Sequence, residues 1–237
     1  MLAAEAFNQE DLTRDARRIN AQITSTLEAL KIKLSTLKDS IADDAALLLS
    51  RRIDLFARAN AIIAQTAAGQ RIRIHGDYHL GQTLRAAGTP GEQAGKDEAD
   101  TGDFVLLDFE GEPARMLAER RQKQSPLKDV AGMIRSLSYA AFSGLDQFLA
   151  ANPELAHSPA CESLTAWALF WQNSVASEFL RSYRATIAAN PALLPSAQPS
   201  QAMLGGYLLE KALYELLYEL NNRPAWLRIP LAGILAL

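Results

Sequence analysis

Apolar and polar side chains alternate in one short segment, which predicts a half-buried β-strand. Ile72 and Ile74 alternate with Arg71 and Arg73, and the residues from His75 onward indicate a turn. This strand therefore leads directly into a loop. The first carboxylate of that loop belongs to Asp77, two positions after His75.

A second short strand is predicted later in the chain. Val105, Leu106 and Leu107 form a fully apolar run that ends at Asp108. Asp77 follows the first strand in the same way. We therefore expect two carboxylates at neighbouring strand ends.

The segment between these strands, residues 85–102, is rich in Gly, Ala and charged residues, which predicts a long hairpin connection facing solvent. It does not match the phosphate-loop pattern G-x-x-x-x-G-K-[ST]. Pro90 stands where the first Gly is required, and Asp97 follows Lys96 where a hydroxyl is needed. We therefore expect no phosphate-binding loop of that type.

Apolar residues recur at three- and four-residue spacing over most of the remaining chain, which predicts amphipathic helices. Two helices precede the first strand, one over residues 12–37 and one over residues 43–68, with Gly69 as a helix stop. A further helix begins at Leu127, since Ser125 supplies an N-cap and the proline after it suits a first turn.

The same periodicity predicts helices over residues 164–187 and 204–220, separated by a proline-rich loop. Within the first of these, we interpret Trp167, Phe170 and Trp171 as core residues rather than as a platform on which a sugar stacks. The chain is therefore predicted to be mainly α-helical with a small β component.

Composition narrows the class of protein. The 237 residues are 49% hydrophobic and 22% charged, with a net charge of -3, so no basic patch for nucleic acid is expected. Cys161 is the single cysteine, and the apolar C-terminal segment is too short to span a membrane. We expect a globular, cytoplasmic protein with no nucleic-acid or membrane partner.

The two loop carboxylates suggest phosphoryl transfer. Asp77, Gln82 and Asp108 occur in the order in which this chemistry uses a base, an amide that binds metal and a carboxylate that holds Mg²⁺. Such a reaction needs little covalent help from the protein, so positioning and charge carry most of the catalysis. We predict Asp77 as the catalytic base, and Gln82 and Asp108 as ligands of Mg²⁺.

Two motifs around these residues carry a family resemblance. The segments HGDYHLGQ and VLLDFEGEP resemble the aminoglycoside phosphotransferase branch of the protein-kinase-like superfamily. The longer segment LLDFEGEPARMLAERRQKQSPLKDVAGMIRSLSYAA resembles the bacterial maltokinases, including those fused to trehalose synthase. The resemblance implies ATP-dependent phosphorylation of maltose at its anomeric hydroxyl, with Mg²⁺.

The resemblance also implies an architecture. The chain contains no G-x-G-x-x-G loop and no strand lysine ahead of the catalytic loop. We therefore expect the C-terminal lobe of the protein-kinase-like fold with the N-terminal ATP lobe absent. It would form one unit, residues 1–237, with leading helices (1–70), catalytic and metal-binding strands and loops (71–112) and a helical bundle (113–237).

The expected partners are maltose and either a missing N-terminal ATP-binding lobe or a trehalose synthase domain. The chain by itself is expected to fold, to bind maltose weakly and to show almost no kinase activity. The alternatives are a catalytically inactive sugar-binding or regulatory lobe, and the C-terminal piece of a trehalose synthase–maltokinase fusion.

Other polar residues are assigned roles around Asp77, Gln82 and Asp108. We expect Tyr78, His79, Glu110 and Arg115 to contact the sugar, because a disaccharide needs many donors and acceptors. In related kinases an aspartate in a D-[LV]-A setting braces the catalytic loop, which assigns that role to Asp129. Further polar groups remain open as sugar contacts: Glu112, Lys128, Glu210, Lys211 and Tyr214.

One rival reading comes from another class of enzyme. His75, Asp77 and His79 form an H-x-D-x-H pattern, which could hold a transition metal in a hydrolase. Such a site needs further ligands, and the remaining histidine, His157, is remote in sequence. We therefore interpret His75 as a structural residue that hydrogen-bonds the loop backbone.

Overall fold

The computed structural model describes residues 3–86, 103–113, 115–156 and 158–237. Helices dominate these residues. They are α1 (Gln9–Lys33), α2 (Asp39–Ser50), α3 (Arg52–Asn60), α4 (Leu117–Arg120), α5 (Leu127–Ala151), α6 (Pro153–Ala156), α7 (Ala160–Ile187), α8 (Ala197–Asn222) and α9 (Arg228–Leu235). Short 3₁₀ turns cover Leu34–Thr36, Leu80–Gln82 and Pro224–Trp226.

Four short strands form two antiparallel pairs. Strand β1 (Glu5–Ala6) pairs with β2 (Gln70–Arg71), and β3 (Thr83–Arg85) pairs with β4 (Phe104–Leu106). The two predicted strands therefore do not pair with each other, because each pairs with a different segment of the chain. The predicted connection between them is a hairpin at its described ends, but residues 87–102 lie outside the described residues.

The main core lies where α8 packs against α1 and against α5. Ile19 and Ile23 of α1 and Leu209, Leu213 and Leu216 of α8 are fully buried. Their three- and four-residue spacing puts them on one face of each helix. Burial of each such side chain stabilises the fold by about 1.5–3 kcal/mol as an upper estimate. This core supports the loops that carry the polar site.

The second predicted helix is two helices in the structure. The chain breaks between α2 and α3 at Arg51, where ψ is +17°. Gly69 is not a helix stop, since α3 ends at Asn60. Its φ of +71° forms a turn into β2, and a Cβ there would lie 2.4 Å from the Leu193 carbonyl oxygen. Close approach of two backbones explains this glycine.

The predictions for the later helices had mixed outcomes. Helix α5 begins at Leu127, as predicted. The prediction that the aromatic residues of α7 belong to the core was wrong, because Trp167, Phe170 and Trp171 are 67%, 62% and 45% exposed. Helix α7 packs mainly on α5, which leaves its opposite face outside. None of the described helices is both long enough and apolar enough to cross a bilayer.

Two glycines of α5 provide a test of how tightly the catalytic loop packs on this helix. A Cβ at Gly132 would lie 2.6 Å from the Tyr78 carbonyl oxygen, whereas one at Gly144 would meet nothing within 4 Å. We predict that Gly132→Ala lowers the free energy of unfolding by about 1–3 kcal/mol through overpacking. Gly144→Ala should raise it by about 0.5–1 kcal/mol, since alanine favours helix.

Urea denaturation of the two variants beside the wild type measures both changes. Equal shifts for Gly132→Ala and Gly144→Ala would show that the loop does not press on α5 at Gly132.

Candidate active site

The loop after β2 is held by a carboxylate from α5. The backbone N–H groups of His75 and Gly76 donate hydrogen bonds to the two oxygens of Asp129, at 2.7 and 2.9 Å. Burial raises the pKa of Asp129, while these two hydrogen bonds act in the opposite direction. The geometry is that of a brace, because one side chain fixes two successive peptide groups.

His75 ties the same loop to the end of β4. Its Nε2 lies 2.7 Å from the carbonyl oxygen of Leu107, and the Asp77 N–H donates to its Nδ1 at 3.4 Å. A carbonyl only accepts, so Nε2 donates in this contact, while Nδ1 accepts from the Asp77 N–H. Both ring nitrogens are thus engaged within the protein.

The two hydrogen bonds of the His75 ring argue against a transition-metal site of the kind found in metallohydrolases. His75 has no nitrogen left for a metal, and over the described ranges no three His, Cys, Asp or Glu side chains converge as a metal site. His157 lies outside the described residues, so its part in that hypothesis is not addressed.

Asp108 adopts a backbone conformation that is uncommon for a residue with a side chain. Its φ is +61°, the left-handed region, which occurs mostly in glycine, asparagine and aspartate. Gln82 Nε2 donates to Asp108 Oδ2 at 3.0 Å. Rotation of the amide by half a turn would bring the Gln82 oxygen to the same point. Two oxygen donors would then converge, which suits the oxygen-ligand preference of Mg²⁺.

Asp77 stands among charged side chains rather than alone. Lys211 Nζ lies 3.5 Å from Asp77 Oδ1 and 3.8 Å from Glu112 Oε1. His79 Nε2 lies 3.8 Å from Asp77 Oδ2. The ammonium of Lys211 therefore stabilises two carboxylates at once and holds α8 close to the catalytic loop.

A buried carboxylate on α8 organises the cations behind Asp77. Glu210 accepts from Arg18 of α1 at 2.6 Å and lies 3.5 Å from Lys128 Nζ of α5 and 3.7 Å from Arg115. Arg115 also donates to Glu112 at 3.3 Å. This salt-bridge network, called the Glu210 cluster below, joins α1, α5, α8 and the loop that follows β4.

In the Glu210 cluster, the cations lower the pKa of Glu210 by more than burial raises it. Burial alone would raise the pKa of Glu210, but Lys128, Arg18 and Arg115 together hold it well below its ordinary value. Burial lowers the pKa of Lys128, and Glu210 opposes that shift. The carboxylate is therefore ionised at neutral pH, and the cations around it depend on its charge.

Two cavities meet at Asp77. The smaller, about 60 Å³, lies inward and is walled mainly by the Glu210 cluster together with Tyr78 and Asp129. The larger, about 610 Å³, opens outward between the catalytic loop, α5 and α8. Its volume falls in the range of small-molecule sites. Asp77, Glu112, Lys211 and Tyr214 line both.

One stripe of α8 provides most of the charge in the larger cavity. Lys211, Glu215, Glu219 and Arg223 are four residues apart, so they lie on one face of the helix. Burial raises the pKa of Glu215, and Arg135, which donates to it at 2.8 Å, opposes that shift.

The cavity also has an aromatic wall. The rings of Tyr139 and Trp226 are stacked with centroids 6.1 Å apart, and the Tyr139 hydroxyl donates to Glu219 at 3.1 Å. The sequence analysis assigned no role to four acidic and aromatic residues of this cavity: Tyr139, Glu215, Glu219 and Trp226. The four-residue spacing of charges in an otherwise apolar helix was the signal that could have found Glu215 and Glu219.

The structure brings only some of the predicted sugar contacts to these cavities. Tyr78 lines the inner cavity and His79 the outer one. Arg115 lines the inner cavity but is committed to two carboxylates of the Glu210 cluster. The Glu110 side chain is 63% exposed, pairs weakly with Arg120 at 3.9 Å and lines neither cavity.

Comparison with known proteins relates the chain to sugar kinases. No family model matches it. It is 28% identical over 237 residues to a glucosamine kinase of Mycolicibacterium smegmatis, covering 99% of this chain and 50% of that protein. It is 27% identical over 180 residues to a glucosamine kinase of Streptacidiphilus jiangxiensis, covering 76% of this chain and 34% of that protein.

Solved structures give the same relation. A glucosamine kinase in complex with glucosamine, ADP and inorganic phosphate matches with a TM-score of 0.69 at 20% identity, over 99% of this chain and 49% of that one. A further crystal form of glucosamine kinase matches with a TM-score of 0.69 at 21% identity. The chain thus shares its fold with glucosamine kinases and spans about half the length of the relatives it matches most fully.

These comparisons correct the family predicted from the motifs. The expected identity as a maltokinase C-terminal lobe was wrong, since the relatives and the structural neighbours are glucosamine kinases. The motifs misled because the pattern of a base, an amide and a carboxylate is typical of phosphoryl transfer in general and does not distinguish one sugar from another.

The fold class and partners predicted from that resemblance are corrected as well. The protein is mainly helical with small sheets, but it matches glucosamine kinases over 99% of its length rather than a lone protein-kinase-like lobe. Maltose as ligand, and a missing ATP-binding lobe or a trehalose synthase domain as partner, are withdrawn with the family. The comparisons lend no support to the expected inactivity.

The Glu210 cluster yields a prediction for stability. We expect Glu210→Gln to lower the free energy of unfolding at pH 7 by about 3–5 kcal/mol, because the buried Lys128 loses its carboxylate partner and Arg18 and Arg115 keep only Asp15 and Glu112. The folded-state pKa of Glu210 lies below its ordinary value of 4.5, so its contribution is present above that pH and is lost as pH falls. The difference between wild type and variant should therefore shrink below about pH 4.5.

Urea denaturation at pH 7 and pH 4 measures this difference. Glu178→Gln is the control, since Glu178 pairs with Arg181 on the exposed face of α7 and should hardly change the midpoint. A wild-type midpoint retained by Glu210→Gln would contradict the assignment.

Proposed function

We propose that this protein is an ATP-dependent sugar kinase whose acceptor is glucosamine. The observation that carries the proposal is the outer cavity, in which Asp77 stands at one end of a row of carboxylates on α8. A base beside a cavity of sugar size suits transfer of a phosphoryl group to a hydroxyl. The similarity to glucosamine kinases along 99% of the chain supports the same reading.

The charge of the cavity favours an amino sugar over a neutral one. Four carboxylates, Asp77, Glu112, Glu215 and Glu219, line it against two described cations, Lys211 and Arg223. Each carboxylate already has a cationic partner: Lys211 for Asp77, Arg115 for Glu112, Arg135 for Glu215 and Arg223 for Glu219. A protonated amino group would find carboxylates within this wall, and charge-assisted hydrogen bonds are the stronger ones. Tyr139 and Trp226 offer an aromatic surface for the apolar face of a sugar ring.

The roles of the residues follow from their positions. Asp77 accepts the proton of the attacking hydroxyl, and Lys211 holds its carboxylate in place. Gln82 and Asp108 fit Mg²⁺ through their oxygens, and bound Mg²⁺ would neutralise charge on the phosphates of ATP. His75 and Asp129 keep the loop backbone fixed, so that Asp77 does not reorganise during transfer. A cytoplasmic location remains a prediction consistent with ATP as co-substrate.

Selectivity for the amino group is the first test. We predict that the protein binds glucosamine at least ~10-fold more tightly than glucose at pH 6.5, because only glucosamine carries a cation for the carboxylates. Glu219→Gln should reduce that ratio while leaving the affinity for glucose nearly unchanged. Calorimetric titration with both sugars measures it, and Glu162→Gln on exposed α7 is the matched control.

Equal affinity for the two sugars would rule out glucosamine as the preferred acceptor. If Glu219→Gln keeps the preference for glucosamine, the ammonium group contacts another residue of the cavity.

Loss of the base is the second test. We predict that Asp77→Asn lowers the rate of phosphate transfer from ATP to glucosamine by ~10²–10⁴-fold, the usual effect of removing a general base. Binding of glucosamine should change much less, since the amide retains the shape of the carboxylate. The rate is measured by mass spectrometry of glucosamine phosphate, and affinity by calorimetry on the same preparation.

Near-normal turnover by Asp77→Asn would show that Asp77 is not the general base. Glucosamine binding by the wild type without any phosphate transfer would contradict the kinase proposal itself while leaving the sugar site standing.

A further inference from the structure

The four carboxylates of the outer cavity differ in how firmly their cationic partners are held. The side chains of these partners are 5% exposed for Arg135, 25% for Lys211, 31% for Arg115 and 47% for Arg223. An exposed cation that leaves its carboxylate passes into water, whereas a buried one is left in the interior without a counter-charge. Arg223, the partner of Glu219, therefore leaves at the lowest cost of the four.

Glu219 is the buried member of this pair. Its side chain is 1% exposed, and it accepts hydrogen bonds from Arg223 Nε at 2.9 Å and from Arg223 Nη2 at 2.7 Å. The Tyr139 hydroxyl donates to the same carboxylate, and its ring is stacked on Trp226. A cation from the cavity therefore reaches this carboxylate only when a present partner moves, and Arg223 is the partner with solvent beside it.

We propose, resting on glucosamine as the proposed acceptor, that Arg223 occupies the place of the substrate ammonium on Glu219 and gives way to it when glucosamine binds. The exchange replaces one cation by another, so the buried carboxylate keeps a counter-charge in both states. Glucose has no cation to exchange, and it leaves Arg223 on Glu219. The exchange thus restricts access to this carboxylate to sugars with a positive charge.

The displaced guanidinium has a place to rest. It already lies over the rings of Tyr218 and Trp226, at 5.3 and 5.0 Å from their centroids, and Tyr218 is 45% exposed. A guanidinium over an aromatic face is attracted to it. Arg223 also follows the last residue of α8, where the negative end of the helix dipole favours a cation. These contacts lower the cost of leaving Glu219.

The opposite role for Arg223 would be that of a fixed clamp. In that role its two hydrogen bonds would orient Glu219 toward the sugar, as the buried Arg135 holds Glu215. The two roles predict effects of opposite sign, because removal of a competing cation tightens glucosamine binding and removal of a clamp loosens it. Exposure favours competition, since exposed ion pairs hold their side chains weakly.

Calorimetric titration of wild type and variants with glucosamine and glucose at pH 6.5 tests the sign. Arg223→Gln removes the charge and keeps an amide donor for Glu219. We expect it to bind glucosamine about 2–5-fold more tightly than the wild type, the scale of an exposed ion pair, and to bind glucose equally well. Arg223→Lys keeps a cation and should stay near the wild-type affinity for both sugars.

The matched control is Arg181→Gln. Arg181 pairs with Glu178 of the same helix, as Arg223 pairs with Glu219, but it lies on the exposed side of α7 and does not line the outer cavity. Its replacement should change neither affinity.

A measurement on the wild type detects the exchange directly. In nuclear magnetic resonance spectra of the arginine side chains, the Arg223 Nε–H signal is assigned by its absence in Arg223→Gln. Addition of glucosamine should shift this signal, and addition of glucose should not.

The outcomes separate the exchange from the function on which it rests. If the wild type prefers glucosamine but Arg223→Gln binds it no more tightly, or if glucosamine leaves the Arg223 signal unmoved, the exchange is overturned and the proposed function stands. If neither the wild type nor Arg223→Gln prefers glucosamine to glucose, the proposed acceptor is wrong and the exchange falls with it.

Discussion

The carboxylate of Glu210 is the contact on which the site depends. It is almost fully buried, and it neutralises Arg18 from α1, Lys128 from α5 and Arg115 from the loop after β4. Lys128 could not be buried at this point without it, because isolated charge is costly in a protein interior. Arg18 and Arg115 are about one-third exposed and also pair with Asp15 and Glu112. One side chain therefore joins the helical core to the loops that carry the chemistry.

The path from this carboxylate to Asp77 is short. Arg115 joins Glu210 to Glu112, and Lys211 joins Glu112 to Asp77. Asp129 holds the same loop from the other side through its backbone. Asp77 is thus positioned by both its side chain and its neighbouring peptides, which is the preorganisation that electrostatic catalysis requires.

Local signals predicted the parts of this structure that depend on neighbours in sequence. The start of α5, the apolar faces of α1 and α8 and the loop character around Asp77 all follow from periodicity and turn chemistry. The pairing of β2 with residues 5 and 6, and the cluster that joins Arg18 to Glu210, depend on contacts between distant segments.

The errors have physical causes too. The aromatic side chains of α7 were assigned to the core because hydrophobicity alone does not reveal whether a helix has a second partner. The sugar was misassigned because the motif around Asp77 and Asp108 is typical of phosphoryl transfer in general and carries no information on the acceptor. Glu215 and Glu219, which line the outer cavity and for which we propose contact with the sugar, lie far from the motif in sequence.

The most direct measurement is a crystal structure of the protein with glucosamine bound. Our account predicts the sugar in the outer cavity, with a hydroxyl oxygen within hydrogen-bonding distance of Asp77 and the ammonium group against the carboxylates of α8. A sugar bound away from Asp77, or an ammonium group that points to solvent, would contradict the account.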